Sequence, residues 1–367
     1  MENIPFFNYS SLFTDHEQEY RVAIESVLKR GAFIMQDEMF EFEQKLSDYL
    51  QVKYAIGVAD GTMALLLSLK VSNIGPGDEV IVPSHTFAAS ASAIAQIGAT
   101  PVLADCGEDH LIDANSVEKL INKNTKVIMP VHLNGRTANM EKILDLSEAN
   151  NILIVEDACQ ALGSKYNNVY AGTFGLAGAF SFYPSKTLGC FGDGGAIITN
   201  DHEAARRIKL LRDHGRNEDG IVEEWGLNSR LDNLQAAILL VKFKYYQEEI
   251  EHRRLLAAEY NKQLKNTNGI KLPPPPDSSP DHFDIYQNYE VEVEDRDKLR
   301  SFLSKNNIGT IMPWGGFSLH NFDALNLNGI YDYTEKIADN FLLLPLHSSL
   351  EIEQVEFICE RINSFYN

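Results

Sequence analysis

Residues 151–160 read NILIVEDACQ, an apolar β-branched run that stops on two acids. Turn-forming residues bound the run, which predicts a strand with Asp157 at its carboxyl end. KVIMPVHL at 126–133 and GAIITN at 195–200 predict strands of the same kind. Helical candidates around 62–73, 86–97, 115–122 and 139–149 alternate with short strands from residue 54 to about 200. Alternation of this sort implies an α/β fold with a mainly parallel sheet flanked by helices on both faces. Ligands of such sheets sit at the carboxyl ends of the strands, where Asp157 lies.

Further along, a helical pattern runs from Asp232 to about residue 265, where NTNG stops it, and it leads out of the large domain. The segment 271–283, KLPPPPDSSPDHF, reads as a loop, because four consecutive prolines donate no backbone hydrogen bonds. NYEVEVE at 288–294 alternates as a half-buried strand, RDKLRSFLSKNN at 296–307 is amphipathic, and the last residues are helical again. The expected organisation is a large domain over 1–240 and a smaller α+β domain over 241–367.

The 367 residues carry 52 acidic against 32 basic side chains, a net charge of −20. No basic field is available to attract nucleic acid or an anionic membrane, so an anionic ligand needs a local site. The start MENIPFFNYSSLF has neither the basic nor the apolar region of a signal peptide, and no run of about 18 apolar residues occurs. A soluble, cytoplasmic protein is expected. Cys106, Cys159, Cys190 and Cys359 are too widely spaced for a zinc motif and read as reduced packing residues, and no metal is expected.

Lys186 lies in SFYPSKTLGCFGDGG, residues 181–195, between aromatic residues (Phe180, Phe182, Tyr183) and four glycines. Apolar shielding would lower its pKa and leave a free amine able to attack an aldehyde, and the glycines would let the chain approach a ligand closely. The alternative is a lysine snorkelling out of a buried loop. Gly61 and Thr62 open a helix after Asp60, which makes either a phosphate site or an ordinary helix cap. Asp157 is either the partner of a protonated ring nitrogen or a capping residue, with Gln160 on the same side to reach a ring oxygen. Phe87 reads as a ring stacked on a flat cofactor or as core. A phosphate site, then an acid, then a lysine, in that order along the chain, are the ligands of pyridoxal 5'-phosphate.

The stretches GVADGTMAL, GDEVIVPSHTFAASASAI, VIMPVHLNGR, IVEDACQALG, FSFYPSKTLGCFGDGGA and LNSRLDNLQAAIL span most of the chain. Together they resemble the DegT-type (StrS-type) nucleotide-sugar aminotransferases, which have fold type I and depend on pyridoxal phosphate. The resemblance implies that Lys186 forms the internal aldimine and shuttles the proton, that Asp157 pairs with the pyridinium nitrogen, and that Gln160 contacts the phenolic oxygen. It puts Phe87 at the stacking position, and Gly61, Thr62 and Ser181 at the phosphate. It also implies that Asn228 reaches the phosphate of a neighbouring subunit with Arg230 near the substrate, so that a homodimer shares its active sites. Without the family, NSRLDN reads as a helix cap followed by a surface ion pair.

Two departures stand out. Many relatives read QAHG where this chain has Gln160-Ala161-Leu162-Gly163, and a segment that faces the sugar in relatives here reads IMPWGGFSLH, residues 311–320. Trp314 and His320 are the sugar-contact candidates in it, with Trp314 equally readable as packing. The implied reaction takes an amino group from glutamate or glutamine and passes it to a nucleotide-linked (dTDP-, UDP- or GDP-) keto-deoxysugar in surface-polysaccharide, O-antigen or antibiotic sugar biosynthesis. The lysine segment is more similar to that of relatives acting on 3-keto sugars than on 4-keto sugars. Other readings are a 4-keto aminotransferase, an aminocyclitol aminotransferase, a regulatory module on the same fold, and a sugar dehydratase. In the last of these a histidine replaces the lysine.

Overall fold

The computed structural model describes residues 3–327 and 329–366. Seven strands form the central sheet in the spatial order Tyr54–Val58, Gly195–Thr199, Ala177–Ser181, Leu153–Asp157, Thr125–Ile128, Glu79–Pro83, Thr100–Ala104. The last five run parallel, whereas Gly195–Thr199 is antiparallel to both its neighbours. Fold type I, mainly parallel and flanked by helices, is thus the architecture of the chain.

Two apolar clusters pack against the sheet. Val80, Ile81, Val127 and Val155 pack with the helix Gly61–Val71, and Phe180, Phe182 and Ile198 pack with Phe42, Leu46 and Leu239. Successive side chains of a strand point to opposite faces, so Phe180 and Phe182 turn into the second cluster while Ser181 between them turns away. The helices at Gly61–Val71, Ala88–Gln96, Ala114–Leu120 and Met140–Asn150 lie close to their expected positions. Two helices the sequence reading did not assign, Glu17–Arg30 and Asp37–Leu50, precede the first strand. The pattern read as one helix from Asp232 is two helices, Asn233–Phe243 and Tyr246–Leu264. The break contains neither glycine nor proline, so no local signal marks it.

A second core surrounds a three-stranded antiparallel sheet of Ile270–Lys271, Tyr289–Val293 and Phe341–Leu344, packed by Leu256, Tyr260, Leu299 and Ile358. Ile4 belongs to this core and pairs with Ile308, so the start of the chain packs with its C-terminal part. The proline segment 273–276 is irregular, as expected, but the ends of the stretch read as a loop are strand: Lys271 in Ile270–Lys271, and His282–Phe283.

An ionic cluster joins the two cores. Glu290, 4 % exposed on the strand Tyr289–Val293, accepts hydrogen bonds from His85 Nε2 (3.0 Å), His110 Nδ1 (2.5 Å) and Asn134 Nδ2 (2.9 Å). The other ring nitrogen of His110 lies 3.0 Å from Glu292 Oε1, which also meets Lys271 Nζ and the Tyr333 hydroxyl. Ligand-type atoms of His85, His110 and Glu290 lie within 4.8 Å of one another, and the hydrogen bonds just named already engage them. Burial alone would depress the His110 pKa, but the carboxylates of Glu290 and Glu292 outweigh it and raise it to about 9.

A histidine with a folded-state pKa above its ordinary value contributes stability that is complete below about 6.5 and lost as pH rises through about 9. The substitution His110→Ala, which removes one of the two histidines that meet Glu290, should therefore cost on the order of 3 kcal/mol at pH 6.5. Thermal melting should show that gap narrowing above pH 9, and a gap of constant size would mean that His110 is not charged in the folded protein.

Candidate active site

Along the strand Leu153–Asp157 the two terminal acids face opposite ways. Glu156 is buried and accepts from the backbone N–H groups of Gly172, Phe174 and Gly175 and from His132 Nε2, at 2.7–2.9 Å. Its role is to fix the loop after Tyr170. Asp157 instead faces a cavity of about 490 Å³ at the carboxyl ends of the strands. Its Oδ2 accepts from Ser90 Oγ at 2.8 Å and its Oδ1 from the Cys159 amide at 3.2 Å. Among the described residues this buried carboxylate makes no salt bridge, and a carboxylate held out of water calls for a cation.

Gly61, Thr62, Phe87, Gln160, Ser181 and Lys186 line the same cavity, so the structure brings seven of the eleven predicted site residues together. Asp60 Oδ1 does cap the helix, accepting from Met63 N at 2.9 Å, and Gly61 and Thr62 still open that helix towards the cavity. Both readings of this segment are therefore realised. A Cβ on Gly61 would lie 2.7 Å from Ser181 Cβ and 3.0 Å from Cys159 Sγ, so only glycine permits the contact. Phe87 is 55 % exposed and is not core.

Lys186 reaches into the cavity beside Cys159 and Asp157, and burial lowers its pKa despite the opposing pull of both neighbours. Its shielding does not come from Phe180 and Phe182, which lie behind the sheet. The glycines also act differently from expectation. A Cβ on Gly189 would strike the carbonyls of Tyr183 and Pro184 at 2.6 Å, and one on Gly195 would strike the Asp60 carbonyl at 2.5 Å. They permit close packing of chain on chain, which shapes the turn that presents Lys186. A second lysine, Lys242, is also desolvated, with its pKa lowered to about 8, and donates to the Gly189 carbonyl at 2.8 Å. It does not line the Asp157 cavity.

Gln160 is oriented by its surroundings. Its Oε1 accepts from the Asn134 amide at 2.9 Å and from Asn288 Nδ2 at 3.3 Å, which leaves the NH₂ end to serve as donor. Neither partner carried a sequence signal, and neither did Ser90, which anchors Asp157. Cys159 was read as packing, but it lines the cavity, with a thiol pKa raised by burial.

Four predicted residues lie outside this cavity. Asn228 is exposed, and Arg230 Nη1 pairs with Asp213 Oδ1 at 2.8 Å. Trp314 packs edge-on against His85, with ring centroids 5.0 Å apart, and His320 Nδ1 lies 2.6 Å from Ser84 Oγ. Both contact the residues just before Phe87, Ser84 and His85.

The residues fit pyridoxal phosphate on structural grounds: an unpaired buried carboxylate for a cationic ring nitrogen, a helix start that only glycine can open, and a desolvated amine. The profile of the DegT/DnrJ/EryC1/StrS aminotransferase family matches residues 14–363. The dTDP-3-amino-3,4,6-trideoxy-alpha-D-glucose transaminase of Streptomyces venezuelae is 41 % identical over 84 % of this chain and 81 % of its own length. The dTDP-3-amino-3,6-dideoxy-alpha-D-galactopyranose transaminase of Aneurinibacillus thermoaerophilus is 38 % identical over 99 % of both. The crystal structure of S. venezuelae DesV in complex with a ketimine intermediate superposes with a TM-score of 0.96 at 37 % identity, over 100 % of this chain and 99 % of that one. Solved relatives carry pyridoxal phosphate or its pyridoxamine form. The chain belongs to the DegT/DnrJ/EryC1/StrS family and is a pyridoxal-phosphate-dependent aminotransferase.

Proposed function

We propose that the protein moves an amino group from glutamate or glutamine onto the 3-keto position of a nucleotide-linked deoxysugar. The observation that carries the chemistry is the convergence of Lys186, Asp157, Gln160 and the Gly61–Thr62 helix start on one cavity. Bound there, pyridoxal phosphate would supply an electrophilic aldehyde and an electron-withdrawing ring. Asp157 would keep the ring nitrogen protonated, while the Gln160 NH₂ would donate to the ring's phenolic oxygen. Ser181, Thr62 and the Gly61 backbone would hold the phosphate, and Phe87 would cover one face of the ring. Lys186 Nζ, kept reactive by burial, would attach the cofactor and then move a proton at the carbon that loses or gains the amine. The amino donor leaves as a keto acid before the sugar enters, so the kinetics are ping-pong.

Both relatives described above are named for 3-amino sugars, which supports carbon 3. A shared site in a homodimer is supported by the loop before Asn228, which holds Ile221, Val222 and Trp225 out in water, Trp225 with 95 % of its surface exposed. Apolar side chains gathered on one loop call for a cover. No helix among the described residues is long and apolar enough to cross a membrane.

Lys186→Ala should lower turnover by about a thousandfold while the protein still binds pyridoxal phosphate, measured by absorbance and by steady-state assay. Turnover at the wild-type rate would make the lysine structural. Mixed subunits of Lys186→Ala and Asn228→Ala should recover activity above that of either parent, since one site of the heterodimer would be intact. No recovery would show that Asn228 serves its own subunit. Mass spectrometry of products from 3-keto and 4-keto dTDP, UDP and GDP sugars with glutamate should show amination of a 3-keto substrate, and amination of 4-keto substrates alone would overturn the position.

A further inference from the structure

The strand Tyr289–Val293 belongs to the second core, yet the residues at its start grip the catalytic cavity from behind. Gln287 is 6 % exposed. Its Oε1 accepts from the Thr187 amide at 2.8 Å and its Nε2 donates to the Ser185 carbonyl at 2.8 Å. One side-chain amide thus pairs with the peptide groups on both sides of Lys186, as a neighbouring strand would.

Two more contacts follow from the same short segment. Asn288 Nδ2 donates to Asn134 Oδ1 at 2.8 Å and, at 3.3 Å, to the Gln160 oxygen whose engagement turns the amide of Gln160. Glu290 holds His85, two residues before Phe87, and also Asn134. The backbones meet as well: Ile285 N donates to the Gly135 carbonyl at 2.9 Å, and a Cβ on Gly135 would lie 2.6 Å from Gln287 N. That approach, with φ of +89° at Gly135, requires glycine.

We propose that Gln287 is a positioning residue for Lys186, and that residues 287–290 form a clamp through which the second core sets Lys186, Gln160 and the Phe87 loop together. The proposal rests on Lys186 being the cofactor lysine. An amide suits the task because it offers one donor and one acceptor in a single plane, matched to the carbonyl and N–H that flank the lysine. Losing it strands the Thr187 N–H and the Ser185 carbonyl where water has little access, and the lysine then loses its fixed approach to the ring.

The test uses the full-length enzyme with Gln287→Met, which keeps the length of the side chain and removes both hydrogen bonds, and Gln287→Glu. Three quantities are read: kcat and KM of the cofactor-loaded enzyme, the pH dependence of kcat, and amide exchange at Thr187 in the cofactor-free protein. In Gln287→Met, kcat should fall about tenfold or more with KM for the sugar within about twofold, and Thr187 exchange should quicken by at least about tenfold. In Gln287→Glu a protonated carboxyl can make both bonds and a carboxylate only one. That variant should approach wild-type kcat at low pH and lose it as pH rises, a titration absent from the wild type.

Wild-type kcat in Gln287→Met overturns the proposal, whether or not exchange quickens, because the contact then does not position the lysine. Should Gln287→Met fail to fold, Gln287→Glu decides alone, and a pH profile identical to wild type overturns the proposal. Failure of the Lys186 assignment would be recognised separately, by wild-type turnover in Lys186→Ala. The exchange measurement needs no cofactor.

Discussion

The rest of the structure depends on one buried charge, the Asp157 carboxylate. It stands at the end of an apolar strand with a hydroxyl and a backbone amide as its partners, and an uncompensated carboxylate in that position is costly. A cationic ring at the strand end would relieve the cost, and the cavity opens at that place. Glu156, one residue earlier, shows the contrast: four donors satisfy it on the other side of the sheet, and it does structural work only. Strand alternation separates the two roles.

Around this charge the cavity draws on distant parts of the chain. The helix start at Gly61, the turn carrying Lys186 and the loop carrying Phe87 all lie at one edge of the sheet, where the parallel strands end. The second core adds the clamp at residues 287–290 and the ionic cluster of His85, His110, Glu290 and Glu292. Contacts from this core therefore hold residues that line or flank the cavity. Trp314 and His320 extend the same docking surface, with Trp314 against His85 and His320 against Ser84.

What could be read from the sequence is set by range. The strand ending at Asp157, the alternation of strands and helices and the glycine-opened helix at Gly61 are local patterns, and the structure has them where the pattern puts them. The residues that hold the site in place were not legible. Gln287 meets Thr187 across 100 positions and Asn288 meets Gln160 across 128, and no local periodicity reports such pairings. The glycines after Lys186 were visible, but whether they admit a ligand or another stretch of chain depends on what packs beside them. Phe180 and Phe182 misled for the opposite reason: they lie close to Lys186 in sequence, but they turn into the cluster on the far face of the sheet. The break near residue 244 interrupts a strong helical pattern with no glycine or proline to announce it.

Two desolvated lysines with lowered pKa values lie in this region, and of the two only Lys186 shares the cavity of Asp157. Borohydride reduction of the cofactor-loaded protein, followed by peptide mass spectrometry, locates the lysine that carries the cofactor. Pyridoxyl label on Lys186 is the predicted result. Label on Lys242, or on no lysine of the cavity, would contradict the account.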